Sequence, residues 1–557
     1  MRLAALTAVV VVAGAAAALY QSLPEPARAL TTSSAAGVRG VIHVHTRRSD
    51  GSGTPEEVAA AGAAVGLTFI VLTDHGNGTR APASPRYHRG VLVIDAIEIS
   101  GDDGHVLALG LPKTPYPLAG EVRDIVDDIG RHGGMSIAAH PDSPKPELRW
   151  TEWTGRFDGI EWLNGDSALR DEPWSMIARA VLTYPFRSTS SLAAMLDRPD
   201  DVLRRWDVLT ARRRVVGLSG TDAHATLDVR HGQPRRPLSL PVPGYEAMFR
   251  TVSITAPGLR FTGQAEADAA ALIEAVRQGR VYSAVDALAT PAVVSFRAVR
   301  GNTTWTPGDL VPPGGRNIEL QVDSNGPPEG RVALIRNGAI LTTVSGPSLR
   351  RTVPAEPAVY RVEIQLPGSP GNPPVPWVLT NPLYIRTQEA REPIRGRAAD
   401  QVSQYVNGPP NGWRVGTTAR SKGAIDVVRN LSGTELLLRW AIGGTIAESP
   451  YAEFAMPAGR ALSKYDRLMF TARADRPMRL SVQFRTDTSD RWRRSVYLDD
   501  QERQAVVFFD DVRPVGVTSR RRLDLSAVRD LLFVVDTVNT RPGTAGQFWI
   551  DDVKYAR

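Results

Sequence analysis

The 557 residues are 42% hydrophobic and 22% charged, which excludes a mostly disordered chain and a multi-span membrane protein. There is no Cys, which removes disulfides, thiolate metal sites and Cys nucleophiles, and the 49 Gly and 42 Pro favour turn-rich β architecture over helical bundles. The net charge of +7 comes from Arg scattered along the whole chain, not from one basic stripe, so a nucleic-acid surface is not favoured.

Arg2 precedes an apolar run from Leu3 to Tyr20, and Pro24 and Pro26 end it. Its length fits a signal-peptide core and the short edge of a membrane span, and Ala27-Arg28-Ala29 fits a small-x-small cleavage site. Residues 1–30 are therefore expected to be a signal peptide or an N-terminal anchor, with cleavage slightly favoured. Both readings place the rest outside the cytoplasm, in a periplasm or beyond, and leave residues 3–20, if uncleaved, as the membrane contact.

From Val38 to Tyr282 short apolar runs alternate with helical stretches. Val38–Val44 reads as a strand. Thr54 caps a helix that has Pro55, Glu56 and Glu57 in its first turn and ends at Gly66. Phe69–Leu72 is the next strand, Glu121–Arg131 a helix closed by Gly133-Gly134, and Met135–Ala139, Gly159–Leu163 and Val215–Leu218 are further strands. This alternation over residues 38–288 predicts an α/β domain with a parallel sheet and covering helices, a barrel being one solution. Residues 289–388 carry short strands at Asn317–Val322, Val332–Arg336 and Tyr360–Gln365, a pattern of an Ig-like β-sandwich. After a polar linker, residues 402–557 repeat short strands (Glu435–Trp440, Arg479–Phe484, Gln504–Phe509, Leu531–Val535, Gln547–Ile550), which predicts a second sandwich of jelly-roll type.

All nine His lie at or before position 231. His43 and His45, two apart, share one face of a strand. His75 follows the run Ile70–Asp74, Glu98 ends Val91–Ile97, His105 starts Val106–Leu109, and His140 ends Met135–Ala139. Asp222 and His224 follow Val215–Thr221. In a parallel barrel the strand C-termini converge on one rim, so these groups would meet in one cup. Any one of them alone reads as a capped or solvated residue. Together, without a cation, three anions would repel and several imidazoles would lack partners, whereas divalent ions make each group a ligand. His and carboxylate donors without thiolate suit Zn, Mn or Fe. His132, at a helix C-terminus, and His88 and His231, in loops, are read as standing outside the site.

His43-Val44-His45 with Ser49-Asp50-Gly51, Thr73-Asp74-His75, Ile97-Glu98, Ala139-His140-Pro141 and Thr221-Asp222-Ala223-His224 resemble, in order, the motifs of the PHP (polymerase and histidinol phosphatase) family. The resemblance covers roughly residues 38–285. It implies a distorted (β/α)7 barrel, here followed by two β-sandwich domains, with two or three divalent metal ions. It implies one ion on His43, His45, Glu98 and Asp222, a second on Glu98, His105 and His140, and a third on Asp50, His75 and His224. The segment Asp158–Asn164 and the trailing β-domain look, more loosely, like the exported carbaryl-hydrolase-like (CehA/McbA) branch of that family. Within that segment Glu161 and Asn164 read equally as pocket-lining and as ordinary strand-end residues.

The expected chemistry is metal-assisted ester hydrolysis, in which a hydroxide bridging two cations attacks and the third cation polarises the electrophile. Glu98, Asp222 and His140 are the residues expected to carry it most directly, with Asp74 or another carboxylate orienting a metal-bound His from behind. A phosphoester on a small molecule or surface polymer is the leading substrate, and a carboxyl ester or carbamate the alternative. A different class is a carbohydrate- or surface-binding protein on a metal-stabilised scaffold, using Trp413, Trp440, Trp492, Trp549 and Tyr497. Burial in a sandwich core is the favoured reading of those aromatics.

Overall fold

The computed structural model describes residues 20, 21, 23–31, 37–225, 242–388, 400–406, 409–430, 433–459, 462–516 and 522–557, so the run before Tyr20 and His231 lie outside the described residues. These residues form two compact units, one of residues 1–112 and 121–391, the other of residues 113–120 and 392–557.

The first unit is mixed α/β. Strand β1 (Val38–Val41) leads to helix α1 (Pro55–Ala64), where Thr54 Oγ1 accepts the Glu57 amide and the Glu57 carboxylate accepts the Thr54 amide. That reciprocal pair satisfies two donors at the helix start. There follow β2 (Phe69–Leu72), β3 (His75–Gly76), β4 (Val91–Asp95), β5 (Ile97–Gly101) and β6 (Gly104–Leu109). Next come α2 (Val122–Arg131), β7 (Met135–Ala138), β8 (Gly159–Asn164), α3 (Trp174–Ala193), α4 (Asp200–Arg212), β9 (Val216–Gly220), β10 (Ser253–Ala256), α5 (Ala265–Arg277) and β11 (Tyr282–Ala284).

One sheet has the order β9-β8-β7-β6-β5-β3, and a larger one contains the run β11-β10-β1-β2-β4. A parallel bridge from Val44 to Ala223, with the Thr221 amide donating to the Ile42 carbonyl, ties β1 to the end of β9. Ile42, Phe69, Val71, Leu92, Ile94, Leu107, Met135, Ile137, Leu218 and Ile254 from both sheets fill one apolar cluster.

The sheets are not purely parallel, as the alternation predicts. β6 runs antiparallel to both β5 and β7, and β10 antiparallel to β1. The cause is local: Gly101 and Gly104 pair across Asp102-Asp103, a hairpin too short to hold a crossover helix. The expected boundary near residue 288 is crossed by hydrogen bonding, because β11 pairs with Val378–Thr380. Tyr282 and Ala284 accordingly share a core with Phe296, Leu320, Val362 and Trp377 of the following β-rich segment.

The second unit holds two antiparallel six-stranded sheets, one containing Gly433–Ala441, Arg467–Ala474 and Ala545–Ala556, the other Tyr451–Pro457, Met478–Thr486 and Val528–Asp536. Leu436, Phe454, Phe470, Leu480, Trp492, Phe533, Phe548 and Tyr555 form its core.

Candidate metal centre

Glu98 is the second residue of β5, and its 1% exposed carboxylate is ringed by imidazoles. Oε1 lies 2.8 Å from His105 Nδ1 and 3.0 Å from His140 Nε2. Oε2 lies 3.0 Å from His45 Nε2, 3.3 Å from His43 Nε2 and 3.4 Å from His75 Nδ1. Asp222 Oδ1 is 3.3 Å from both His43 Nε2 and His45 Nε2. On the outer side, Asp50 lies 3.3 Å from His45 Nδ1, 3.5 Å from His75 Nε2 and 3.3 Å from His224 Nε2. All nine residues named as ligands from the sequence are thus brought together. They form four overlapping groups with ligand atoms within 4.8 Å of one another: His45, Asp50, His75 and His224; His43, Glu98 and His140; His43, His45 and Asp222; His75, Glu98 and His105.

The way they converge differs from the sequence reading. His43 and His45 do not share a face of a straight strand. β1 ends at Val41, and His43 takes a left-handed φ of 62°, which turns both rings toward Glu98 and Asp222. His140 (φ 30°), Asp222 (φ 50°) and Ala225 (φ 48°) are held in the same sparsely populated region. Such strain, gathered at one place, marks a site that the surrounding structure over-determines. His105 reaches the cup because β6 is antiparallel, so its beginning lies where its neighbours end.

Several outward hydrogen bonds fix which ring nitrogen faces inward. His43 Nδ1 donates to Glu161 Oε1 at 2.8 Å, His140 Nδ1 to the Leu148 carbonyl at 3.1 Å, and His224 Nδ1 to the Asp222 carbonyl at 2.9 Å. In each neutral ring the Nε2 then carries a lone pair, yet it faces a carboxylate oxygen. Two acceptors in contact repel unless a proton or a metal ion lies between them. His45 Nε2 is buried without a hydrogen-bond partner although it is 3.0 Å from Glu98 and 3.3 Å from Asp222. This donor set fits divalent cations.

The electrostatics agree. Burial opposes the charged form of each group, but for His43 the Asp222, Glu161 and Glu98 carboxylates outweigh it and hold the imidazole well above its ordinary value. His45 is likewise raised by Asp222, Asp50 and Glu98, His140 by Glu98 and Asp222, and His224 by Asp50 and Asp222. Against the same burial penalty, Glu98 is held well below the usual carboxylate range by His43, His105 and His140, Asp222 by His43, His45 and His224, and Asp50 by His224, His45 and His75.

Of the carboxylates expected behind the ligands, Asp74 holds a turn and not a ring. Its Oδ1 accepts the Thr46 amide at 2.7 Å and Ser49 Oγ at 2.8 Å, and Oδ2 accepts Thr46 Oγ1 at 2.8 Å. Thr46 and Ser49 lie in the turn between His45 and Asp50, so that turn is what Asp74 fixes. The residue behind a ligand is Glu161, fully buried, which also accepts the His140 amide at 2.7 Å and Asn164 Nδ2 at 2.9 Å. Asn164 caps the helix Gly165–Arg170 by accepting the Ser167 amide. Gly220 makes room for Glu161, since a Cβ there would sit 1.7 Å from Oε1. His132 is the C-cap of α2, and His88 lies on the strand Arg86–His88; neither belongs to the four ligand groups.

In the second unit Trp440 and Trp492 are 5% and 1% exposed, Trp413 stacks on Phe533, and Arg473 covers the Trp549 ring at 3.9 Å. Trp549 and Tyr497 are half-buried, and among the described residues of this unit no Trp or Tyr is exposed.

No family model matches the chain. Over 107 residues it is 32% identical to a curated 3′,5′-nucleoside bisphosphate phosphatase of Chromobacterium violaceum. That match covers 18% of this chain and 38% of the relative, so the chain spans well under half of the relative's length. Among solved structures, a family 11 carbohydrate-binding module of a Clostridium thermocellum cellulase matches 28% of this chain and 95% of its own at 14% identity, with a TM-score of 0.24. An exo-beta-agarase matches 28% of this chain and 25% of its own at 12% identity, with a TM-score of 0.21.

Proposed function

We propose that the chain is an exported, metal-dependent hydrolase of PHP type acting on phosphoester bonds. In this reading β1, β2 and β4–β9 make a distorted barrel with the metal centre at one rim, and residues 392–557 are a β-sandwich appended to it. The observation that carries the proposal is the buried Glu98 carboxylate with five imidazoles within 3.4 Å. The partial likeness to a bisphosphate phosphatase favours phosphorus over a carboxyl or carbamate carbon as the electrophile.

His43, His45, Glu98 and Asp222 would hold one ion, Glu98, His105 and His140 a second, and Asp50, His75 and His224 a third, with His45 placed to serve the first or third. When bound, divalent cations supply Lewis acidity, which polarises a phosphoryl oxygen and makes water more acidic. The protein's own contribution is positional. Glu161, the Leu148 carbonyl and the Asp222 carbonyl lock the outward ring nitrogens, and Asp74 locks the turn that carries Asp50. The substrate is expected to be a small molecule or a surface polymer bearing a phosphoester.

The test is metal analysis of the purified chain, followed by turnover of a chromogenic phosphomonoester, a phosphodiester and an aryl ester, each with and without chelator. Two or three equivalents of Zn, Mn or Fe and chelator-sensitive phosphoester turnover are expected. Under one equivalent after metal supplementation, or turnover of the aryl ester alone, would overturn the reading.

A further inference from the structure

Helix α3 presents large apolar side chains outward. Trp174, Val181, Leu182 and Phe186 are 84%, 64%, 66% and 62% exposed, and Ala178 and Pro185 are exposed between them. At 100° per residue these positions fall within an arc of about 140°, a single stripe about 18 Å long. Ala180 and Thr183, on the opposite side, are buried, and Ala180 belongs to a core cluster that Tyr184 packs against. A stripe of this kind exceeds the scattered apolar residues of an ordinary water-facing surface.

Arg187 follows the stripe directly. Its guanidinium donates to the Pro24 carbonyl at 2.6 Å and stands 5.9 Å from the Tyr20 ring. Tyr20 is the last residue of the apolar run that begins at Leu3. The chain therefore leaves that run at the end of the exposed stripe.

We propose that this face of α3 lies in the interfacial layer of a phospholipid bilayer, as a second membrane contact beside the Leu3–Tyr20 segment. The proposal rests on residues 3–20 being a retained anchor, since cleavage after Ala29 would remove Tyr20 and Pro24 from Arg187. The run itself is a poorer occupant of the stripe. It has no polar face, so packing it on α3 would cover one side and leave the other in water, whereas a bilayer covers all of it together with the stripe. Trp and Phe at the two ends of the stripe suit the headgroup boundary. Among the described residues no helix is long and apolar enough to cross a membrane, so α3 would lie on the surface, not span it.

The absence of Cys allows a single reporter to be placed in the full chain. A nitroxide on Leu182→Cys is compared with one on Ile340→Cys, a residue 68% exposed on the strand Ala339–Ser345. The chains are reconstituted in phosphatidylcholine–phosphatidylglycerol vesicles, floated on a density gradient, and probed with oxygen and a water-soluble nickel relaxant. The chain is expected to float, with the oxygen-to-nickel accessibility ratio at Leu182→Cys about fivefold or more above that at Ile340→Cys, as for a residue below the headgroups. Adding Val181→Glu and Phe186→Glu should abolish the difference. A chain that floats while both labels are equally wet sinks the docking of α3 and leaves the anchor standing. A chain that stays at the bottom sinks both. A Leu182→Cys label already shielded before vesicles are added would mean that the chain covers its own stripe, and spin–spin broadening would mean that a second copy does; either overturns the proposal.

Discussion

In the second unit the buried core cluster is apolar. Phe454 meets Phe548 at 5.6 Å and Phe470 meets Phe533 at 5.2 Å, ring distances of ordinary aromatic packing. The charges that approach this core are paired, for example Arg485 with Asp530 and Arg473 with the buried Glu435. The cluster around Glu98 in the first unit buries the opposite kind of residue: His43, His45, Glu98, His105, His140 and Asp222 are all 8% exposed or less. A core phenylalanine accepts any apolar neighbour of the right volume, so its environment constrains size. The buried Glu98 accepts only cations or donors, so its environment constrains charge.

The largest effect that would sharpen this contrast is removal of charge at constant size. Glu98→Gln should release at least one ion and lower turnover by roughly 1,000-fold, since the loss of metal-assisted water activation costs several kcal/mol of barrier. Asp222→Asn should weaken mainly one ion, because Asp222 belongs to one of the ligand groups whereas Glu98 belongs to two. Metal content and turnover of both variants, measured on one substrate, check this. Full metal and near-full rate in Glu98→Gln would mean that the cluster is not the active centre.

Smaller effects should come from behind the ligands. Glu161→Gln keeps the volume but takes the charge from the group that holds His43 Nδ1, and Gly220→Ala drives a methyl into the space Glu161 occupies. Each should reduce metal affinity by about 10- to 100-fold, the usual range for partners of ligands. Equilibrium dialysis reads this without reference to turnover. Unchanged affinity in both variants would show that Glu161 only fills space.

Proton linkage gives a third way to break the comparison. In the metal-free chain His43, His45, His140 and His224 bind protons more tightly than they do unfolded, where the imidazole value is about 6.5. That stabilisation is fully present below about pH 6.5 and is lost as pH climbs through the raised folded values. Glu98, Asp222 and Asp50 behave inversely: their lowered values stabilise the fold above about pH 4 and lose that effect as pH falls through the folded values. The metal-free melting temperature should therefore fall between pH 6 and pH 8.5. The metal-loaded one should not, because cations replace the protons and bind better as protons leave. A chelated chain equally stable at both pH values would refute the coupling.

The residues that gather around Glu98 were legible because they recur, in order, beside predicted strands, although any one of them alone reads as an ordinary strand-end residue. What stayed hidden depends on contacts between distant segments. Glu161 acts on His43 across more than a hundred residues, and Gly220 matters only because Glu161 lies against it. The antiparallel β6 was signalled by Gly101-Asp102-Asp103-Gly104, a hairpin sequence that the overall α/β rhythm masked. Helix α3 escapes periodicity arguments for a physical reason: an apolar stripe is normally turned inward, and here it faces out. Trp440 and Trp492 were readable as core, since they lie in strands whose alternation already demanded a buried face, whereas Trp549 falls outside that core.

The smallest effect tests whether position or residue type makes the site. His132 shares the first unit and the imidazole chemistry of the ligands, but it closes α2, with its amide donating to the Asp128 and Gly130 carbonyls. That bond belongs to the backbone and survives substitution. A side chain at a helix C-terminus changes stability through the helix dipole by about 0.3–1 kcal/mol. His132→Gln should thus cost a little stability, keep its full metal complement and stay within about threefold of the parent rate, the span of an ordinary change away from a site. The informative comparison is with Glu98→Gln in the same assay. If His132→Gln lost metal while Glu98→Gln kept it, the centre would lie elsewhere in the first unit, and the convergence of rings on Glu98 would be a structural cluster and nothing more.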